Sequence, residues 1–177
     1  MIDFKLALRD KELENIYTLA QSIWKENYAH ILSIEQIQYM LERFQSVLAI
    51  QDQIKKGYKY FQIFNCSDTA GYFAFTQKDD RDFTQKGLFL SKLYILKDYR
   101  SQGIAKLIIA YLKGIAYMLN TNFIWLTVNK HNQNAIQAYQ KLGFKIYRED
   151  RVDIGEGYVM DDYYMKLNTD FTYLSQN

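Results

Sequence analysis

With 177 residues, 49% of them apolar or aromatic, the chain is long enough to bury one sizeable core and too hydrophobic to stay disordered. Its net charge of +2 at pH 7 leaves no electrostatic footprint for nucleic acid. No apolar run approaches the roughly 20 residues that span a bilayer, and the start Met1-Ile2-Asp3-Phe4-Lys5 lacks the pattern of a secretory signal, so no membrane partner is expected.

Cys66 is the sole cysteine, which excludes an internal disulfide. A reducing, cytoplasmic setting is the simplest expectation, with Cys66 an inert small hydrophobe. His30, His131 and Cys66 show no ligand spacing, so no metal is expected. The chain has no proline, and its turns must come from Gly, Asn, Asp and Ser.

Phe4 to Arg9 alternates as a first strand would. Asp10 is placed to cap a helix over roughly 11–28. Ser33-Ile34-Glu35-Gln36 fits a capping box, and a second helical region runs from it to about Ile54. Lys59 to Phe64 and Ala70 to Thr76 read as strands, joined by the turn Asn65-Cys66-Ser67-Asp68. The charged stretch Gln77 to Lys86 reads as a loop. Leu88 to Leu96 is a nearly continuous apolar strand, a pattern of burial on both faces. Ala105, Ile108, Ile109, Leu112, Ile115, Ala116 and Leu119 then fall on one face of a long helix. Phe123 to Val128 is a short buried strand. Asn132 caps a helix whose inner face is Ala135, Ile136, Tyr139 and Leu142, and Gly143 ends it. Phe144 to Arg148 and Tyr158 to Leu167 close the chain as strands. The alternation in the middle, flanked by hairpins, implies an α/β (α+β) fold with a mixed sheet and helices on both faces.

The stretch from Leu93 to Lys106 carries the chemistry. An apolar strand runs into a short polar turn, Arg100-Ser101-Gln102-Gly103-Ile104-Ala105, and then into the long helix. A helix start leaves backbone N–H groups without partners and carries partial positive charge, so a phosphate satisfies both. Gly103 lets backbone approach closely, Ala105 keeps the next turn small, and Arg100 can add a charge-assisted hydrogen bond. The loop lacks Gly-x-Gly-x-x-Gly, which argues against a dinucleotide-dependent oxidoreductase.

These residues resemble the GNAT superfamily of acetyl-CoA-dependent N-acetyltransferases. Arg100 to Ala105 is similar to the family's Gln/Arg-x-x-Gly-x-Gly/Ala pyrophosphate loop. Leu93-Tyr94-Ile95 is similar to the strand before it. Asn132 to Phe144 is similar to the family's Asn-x-x-Ala-x-x-x-Tyr-x-x-x-Gly-Phe helix. Tyr158 to Met165 loosely resembles a bacterial branch that includes polyamine acetyltransferases.

The resemblance implies a central sheet of about seven strands in which two neighbouring parallel strands, 88–96 and 122–128, splay apart to hold acetyl-CoA. It implies a single N-acetyltransferase domain over 1–177, with 1–87 serving the acceptor and 88–167 the cofactor. The backbone of Leu93, Tyr94 and Ile95 would bond the pantetheine arm. Residues 100–106 (Arg100, Ser101, Gln102, Gly103, Ile104, Ala105, Lys106) would hold the pyrophosphate, with Asn132, Asn134, Tyr139 and Lys141 as further cofactor contacts.

A lysine-like ammonium, with a pKa of about 10.4, is uncharged in only about one molecule in a few thousand at neutral pH, so a proton must leave before attack on the thioester. An N–H at Ile95 or its neighbour is placed to stabilise the oxygen that gains charge. Tyr139, at the family's general-acid position, would protonate the departing thiolate. The strand carboxylate of many relatives is replaced here by Phe89 and Ser91. Glu26 is the candidate base, with Asp161, Asp162 or a water chain as alternatives. Trp24, Tyr28, Asp161, Asp162 and Tyr164 would line an acceptor pocket suited to a cationic small-molecule or peptidic amine. A homodimer is left open. The competing reading is a CoA-binding sensor or scaffold without turnover.

Overall fold

The computed structural model describes residues 1–169; the end of the expected 1–177 span, residues 170–177, lies outside the described residues. The element order is β1 (Ile2–Leu6), α1 (Asp10–Tyr28), α2 (Ile34–Gln45), α3 (Val47–Lys55), β2 (Lys59–Asn65), β3 (Asp68–Lys78), β4 (Gly87–Ile95), a short 3-10 helix (Lys97–Tyr99), α4 (Ile104–Met118), β5 (Phe123–Asn129), α5 (Gln133–Lys141), β6 (Lys145–Gly155) and β7 (Tyr158–Asn168). The seven strands form a mixed sheet in the order β1-β2-β3-β4-β5-β7-β6. The chain divides into two compact units, one of residues 1–76 and 91–104, the other of 77–90 and 105 onward.

In the first unit, β1, β2 and β3 pair antiparallel, with Phe61 opposite Phe73 and Tyr60 opposite Ala74. Period-2 alternation sends these residues to different faces. One face stacks Phe61 on Phe73 and Phe75 at centroid distances of 5.0 and 5.9 Å, with Phe4 edge-on to Phe73 at 5.2 Å. The other carries Tyr60 and Tyr72, both fully buried. Their hydroxyls donate to Gln53 of α3 at 2.8 Å and Gln45 of α2 at 2.9 Å. Buried hydroxyls need such acceptors, which explains why two glutamines face inward.

Local chemistry corrects three boundaries. The cap of α1 is Arg9, and Asp10 is already helical. The Glu12 carboxylate reaches back to the amides of Leu8 and Arg9 at 2.8 and 3.0 Å, ending β1 earlier than the alternation suggests. The second helical region breaks at Ser46, which closes α2 and caps α3 by accepting from the Ala49 amide at 3.3 Å. Ser33 does cap α2, accepting from Gln36 at 3.1 Å. The β2–β3 turn falls at Cys66 and Ser67, with Cys66 left-handed (φ 57°) and exposed rather than packed.

Gly71 on β3 marks a close backbone approach. A Cβ built there would stand 2.2 Å from the carbonyl oxygen of Tyr94. The obstacle is backbone, so it cannot swing away. We expect Gly71→Ala to cost about 1–3 kcal/mol, lowering the melting temperature by roughly 2–12 °C. A melting curve that superimposes on wild type would refute that close contact.

In the second unit, β5 pairs antiparallel with β7 over seven positions, from Phe123↔Asn168 to Asn129↔Asp162. The β6–β7 hairpin turns at Glu156 and Gly157, both left-handed, so β6 runs to Gly155 rather than stopping at Arg148. The expected parallel pair of β4 and β5 is present. Its ladder registers Leu88↔Ile124 and Phe89↔Trp125 and then stops, although β5 stays in register with β7 as far as Asn129. The stretch expected as a loop begins later, because β3 continues through Lys78. Asp80 in that loop takes a two-pronged contact from Arg148 of β6, at 2.8 and 2.7 Å. No helix among the described residues is long and apolar enough to cross a membrane.

Candidate active site

The loop at the start of α4 lies where the sequence places it. Leu96 donates to the Ala70 carbonyl at 2.9 Å, and the short 3-10 helix follows. Ser101 (φ 61°) and Gly103 (φ 80°) then take left-handed conformations before α4 begins at Ile104. For Ser101 this costs about 1–2 kcal/mol, a strain that concentrates at functional loops. Among the described residues, no protein acceptor takes the backbone amides of Ser101, Gln102, Gly103 or Ile104. A Cβ at Gly103 would meet nothing within 4 Å.

Side chains fix the loop from within. Gln102 donates to the Asp98 carbonyl at 2.8 Å. The Arg100 guanidinium donates from Nε to the Ile95 carbonyl at 2.9 Å and from Nη1 to Glu26 of α1 at 2.7 Å. Its Nη2 is buried and has no partner among the described residues. Arg100 therefore ties the end of β4 to α1 and keeps one charged N–H pair in reserve. Glu26, expected as a base, spends its carboxylate on this tie.

Of the residues expected along the pantetheine arm, Leu93, Tyr94 and Ile95 are all half-buried. Trp24 packs against Tyr28 at 5.3 Å and Tyr94 at 5.6 Å, and Tyr94 meets Tyr72 at 5.3 Å. At 4% exposure Trp24 is more a packed member of this aromatic cluster than an open wall.

In the second unit, Asn132 caps α5 by accepting from the Ala135 amide at 3.2 Å. Tyr139 sits half-buried on α5 with its ring edge-on to Phe144 at 5.6 Å. Lys106, Asn134 and Lys141 are exposed. Asp161 is bound to Lys130 at 2.7 Å, a hydrogen bond that holds its carboxyl below the usual range. Asp162 is buried. Tyr164 stacks on Trp125 at 6.1 Å, and the Arg148 guanidinium lies 3.8 Å from the Tyr164 ring centre. Sequence reasoning missed Arg148 and Lys130. Only strand register brings them to these partners, and nothing local in the sequence marks them.

The mixed sheet with its helices and the helix start with unpartnered amides define an α/β protein. The chain belongs to the acetyltransferase (GNAT) family, whose profile matches residues 13–144. It is 38% identical over 77 residues to an uncharacterized N-acetyltransferase of Mycobacterium tuberculosis, a match covering 44% of this chain and 46% of that one. The chain thus matches about half the length of the first such relatives. It is 24% identical over 134 residues to a probable spermine N(1)-acetyltransferase of Bacillus subtilis subsp. natto, covering 73% of this chain and 88% of the relative. The PaiA N-acetyltransferase of Thermoplasma acidophilum, solved in complex with coenzyme A, shares the fold with a TM-score of 0.75, at 21% identity and covering 95% of this chain and 99% of that one.

Proposed function

We propose that this chain is an acyltransferase that moves the acetyl group of acetyl-CoA to a primary amine of a small molecule or peptide. In this reading residues 1–177 make one N-acetyltransferase domain. The observation that carries it is the α4 start: amides 101–104 without protein acceptors, open space beside Gly103, and the buried, unpartnered Nη2 of Arg100. Orphaned donors of this kind call for an anion, and the pyrophosphate of coenzyme A has the charge and the acceptor oxygens to satisfy them.

Acetyl-CoA supplies the acetyl group as a thioester. The chain supplies the rest. The loop amides and Arg100 bind the pyrophosphate, and Glu26 holds Arg100 in place. The backbone of Leu93, Tyr94 and Ile95 bonds the amide-bearing arm, with Ile95 or its neighbour offering an N–H where negative charge develops. Asn132, Asn134, Lys106 and Lys141 flank the cofactor. Tyr28 supplies aromatic surface for a cationic acceptor, backed by the packed ring of Trp24. Tyr139 delivers a proton to the departing sulfur.

The test is thiol release from acetyl-CoA with a panel of amines, including spermine and a lysine-containing peptide, with products read by mass spectrometry. We expect amine-dependent release, one thiol per acetylated amine. Tight coenzyme binding with no release from any amine would replace this reading with a sensor or scaffold.

A further inference from the structure

The reaction above needs a receiver for the proton of the acceptor's ammonium. Two of the candidate carboxylates are already engaged, Glu26 with Arg100 and Asp161 with Lys130, each at 2.7 Å. Asp162 differs. It is 8% exposed, and among the described residues no donor reaches its side chain. Buried carboxylates without donors are costly and rare, and each calls for an explanation.

The ladder places Asp162 opposite Asn129 of β5 and Asp150 of β6, with Asp161, Tyr163 and Tyr164 beside it on β7. Three cations nearby are committed to other carboxylates, and Arg151 of β6 stands opposite Asp161. Arg148 serves Asp80 and Asp82, Arg81 meets Asp150 at 3.0 Å, and Lys130 is shared by Asp161 and Glu149. Asp162 is thus a largely buried acid that no cation among the described residues contacts directly. It stands at the carboxyl end of β5, the end at which open α/β sheets take their ligands. From there the chain turns through Asn132 into the helix that bears Tyr139.

We propose that Asp162 accepts the ammonium of the acceptor as its counterion and takes the proton, acting as the general base. The inference rests on the acetyl-transfer reading. One proton passes from nitrogen to the Asp162 carboxylate. The freed lone pair forms the N–C bond to the acetyl carbon, the C–S bond breaks with its electrons on sulfur, and Tyr139 protonates that sulfur. The second nitrogen proton leaves to solvent, which restores Tyr139 and later discharges Asp162. Burial first, and then the charge of Asp161, push the Asp162 carboxyl up to about 6, with Lys130 pulling the other way. A carboxylate raised by about two units is roughly a hundredfold better at holding the proton, yet still mostly ionised at pH 7.

The experiment uses the full chain and its Asp162→Asn variant, with acetyl-CoA and either spermine or a lysine peptide, across pH 5 to 9. Melting is followed in parallel without coenzyme. We expect kcat to fall at least about a hundredfold, the acid limb near pH 6 to vanish, and the acetyl-CoA Kd to stay within about threefold. The folded carboxyl titrates above its unfolded value, so wild type loses stability as pH rises from about 4 to 6. The variant escapes that loss and melts at or above wild type at pH 7. A variant that keeps its turnover and acid limb, or that melts well below wild type or fails to fold, overturns Asp162 as base. A wild type inert toward every amine overturns acetyl transfer itself, and this inference with it.

Discussion

Gly103→Val is expected to abolish acetyl-CoA binding while leaving the fold standing. Gly103 has φ 80°, a conformation that a β-branched residue adopts only under strain of about 1–3 kcal/mol. Packing adds little to that cost, because a Cβ there meets no atom within 4 Å. The open space is the reason for the functional loss. Two methyl groups would stand beside amides that have no protein acceptor among the described residues, where the proposed pyrophosphate would sit. We therefore expect Kd for acetyl-CoA, measured by calorimetry, to rise at least about a hundredfold, with melting lowered by roughly 2–12 °C. Wild-type affinity in the valine variant would move the pyrophosphate away from this loop.

Tyr139→Phe is expected to separate chemistry from binding. The ring is half-buried and edge-on to Phe144 at 5.6 Å, a contact that phenylalanine reproduces. Only the hydroxyl is lost. A phenol of pKa near 10 giving its proton to a thiolate near 8.5 works uphill by about 1.5 units, or roughly 2 kcal/mol, which a general acid tolerates. Such groups contribute about 10²–10⁴ in rate. We expect kcat to fall at least tenfold at an unchanged Kd for acetyl-CoA, read by steady-state kinetics and titration. Unchanged turnover would remove Tyr139 from the mechanism and leave it a packing residue.

What the sequence disclosed was local. The turn at 100–103, the Asn132 cap and the stop at Gly143 are each set by residues within a few positions, and the structure places them as read. The helix break at Ser46 went unread because the apolar spacing continues across it, and a serine mid-helix looks the same as a serine cap until its hydroxyl finds Ala49. The β6 strand reads short in the sequence because four of the five residues from Glu149 to Asp153 are charged, as an edge strand tends to be.

The site divides in the same way. Its motif residues were legible, but their partners were not. Arg100 meets Glu26 across 74 positions and Arg148 meets Asp80 across 68. Asp161 and Asp162 are neighbours of identical chemistry. Pleating alone gives the first a lysine and leaves the second buried without one.

The exposed sulfur at the β2–β3 turn has a practical side. Because the chain holds one thiol in all, a maleimide dye attaches at a single known position, more than thirty residues before the loop at 100–103. The same group enters any colorimetric count of liberated coenzyme, as a fixed background of one equivalent per protein molecule, and replacing it with serine clears the assay.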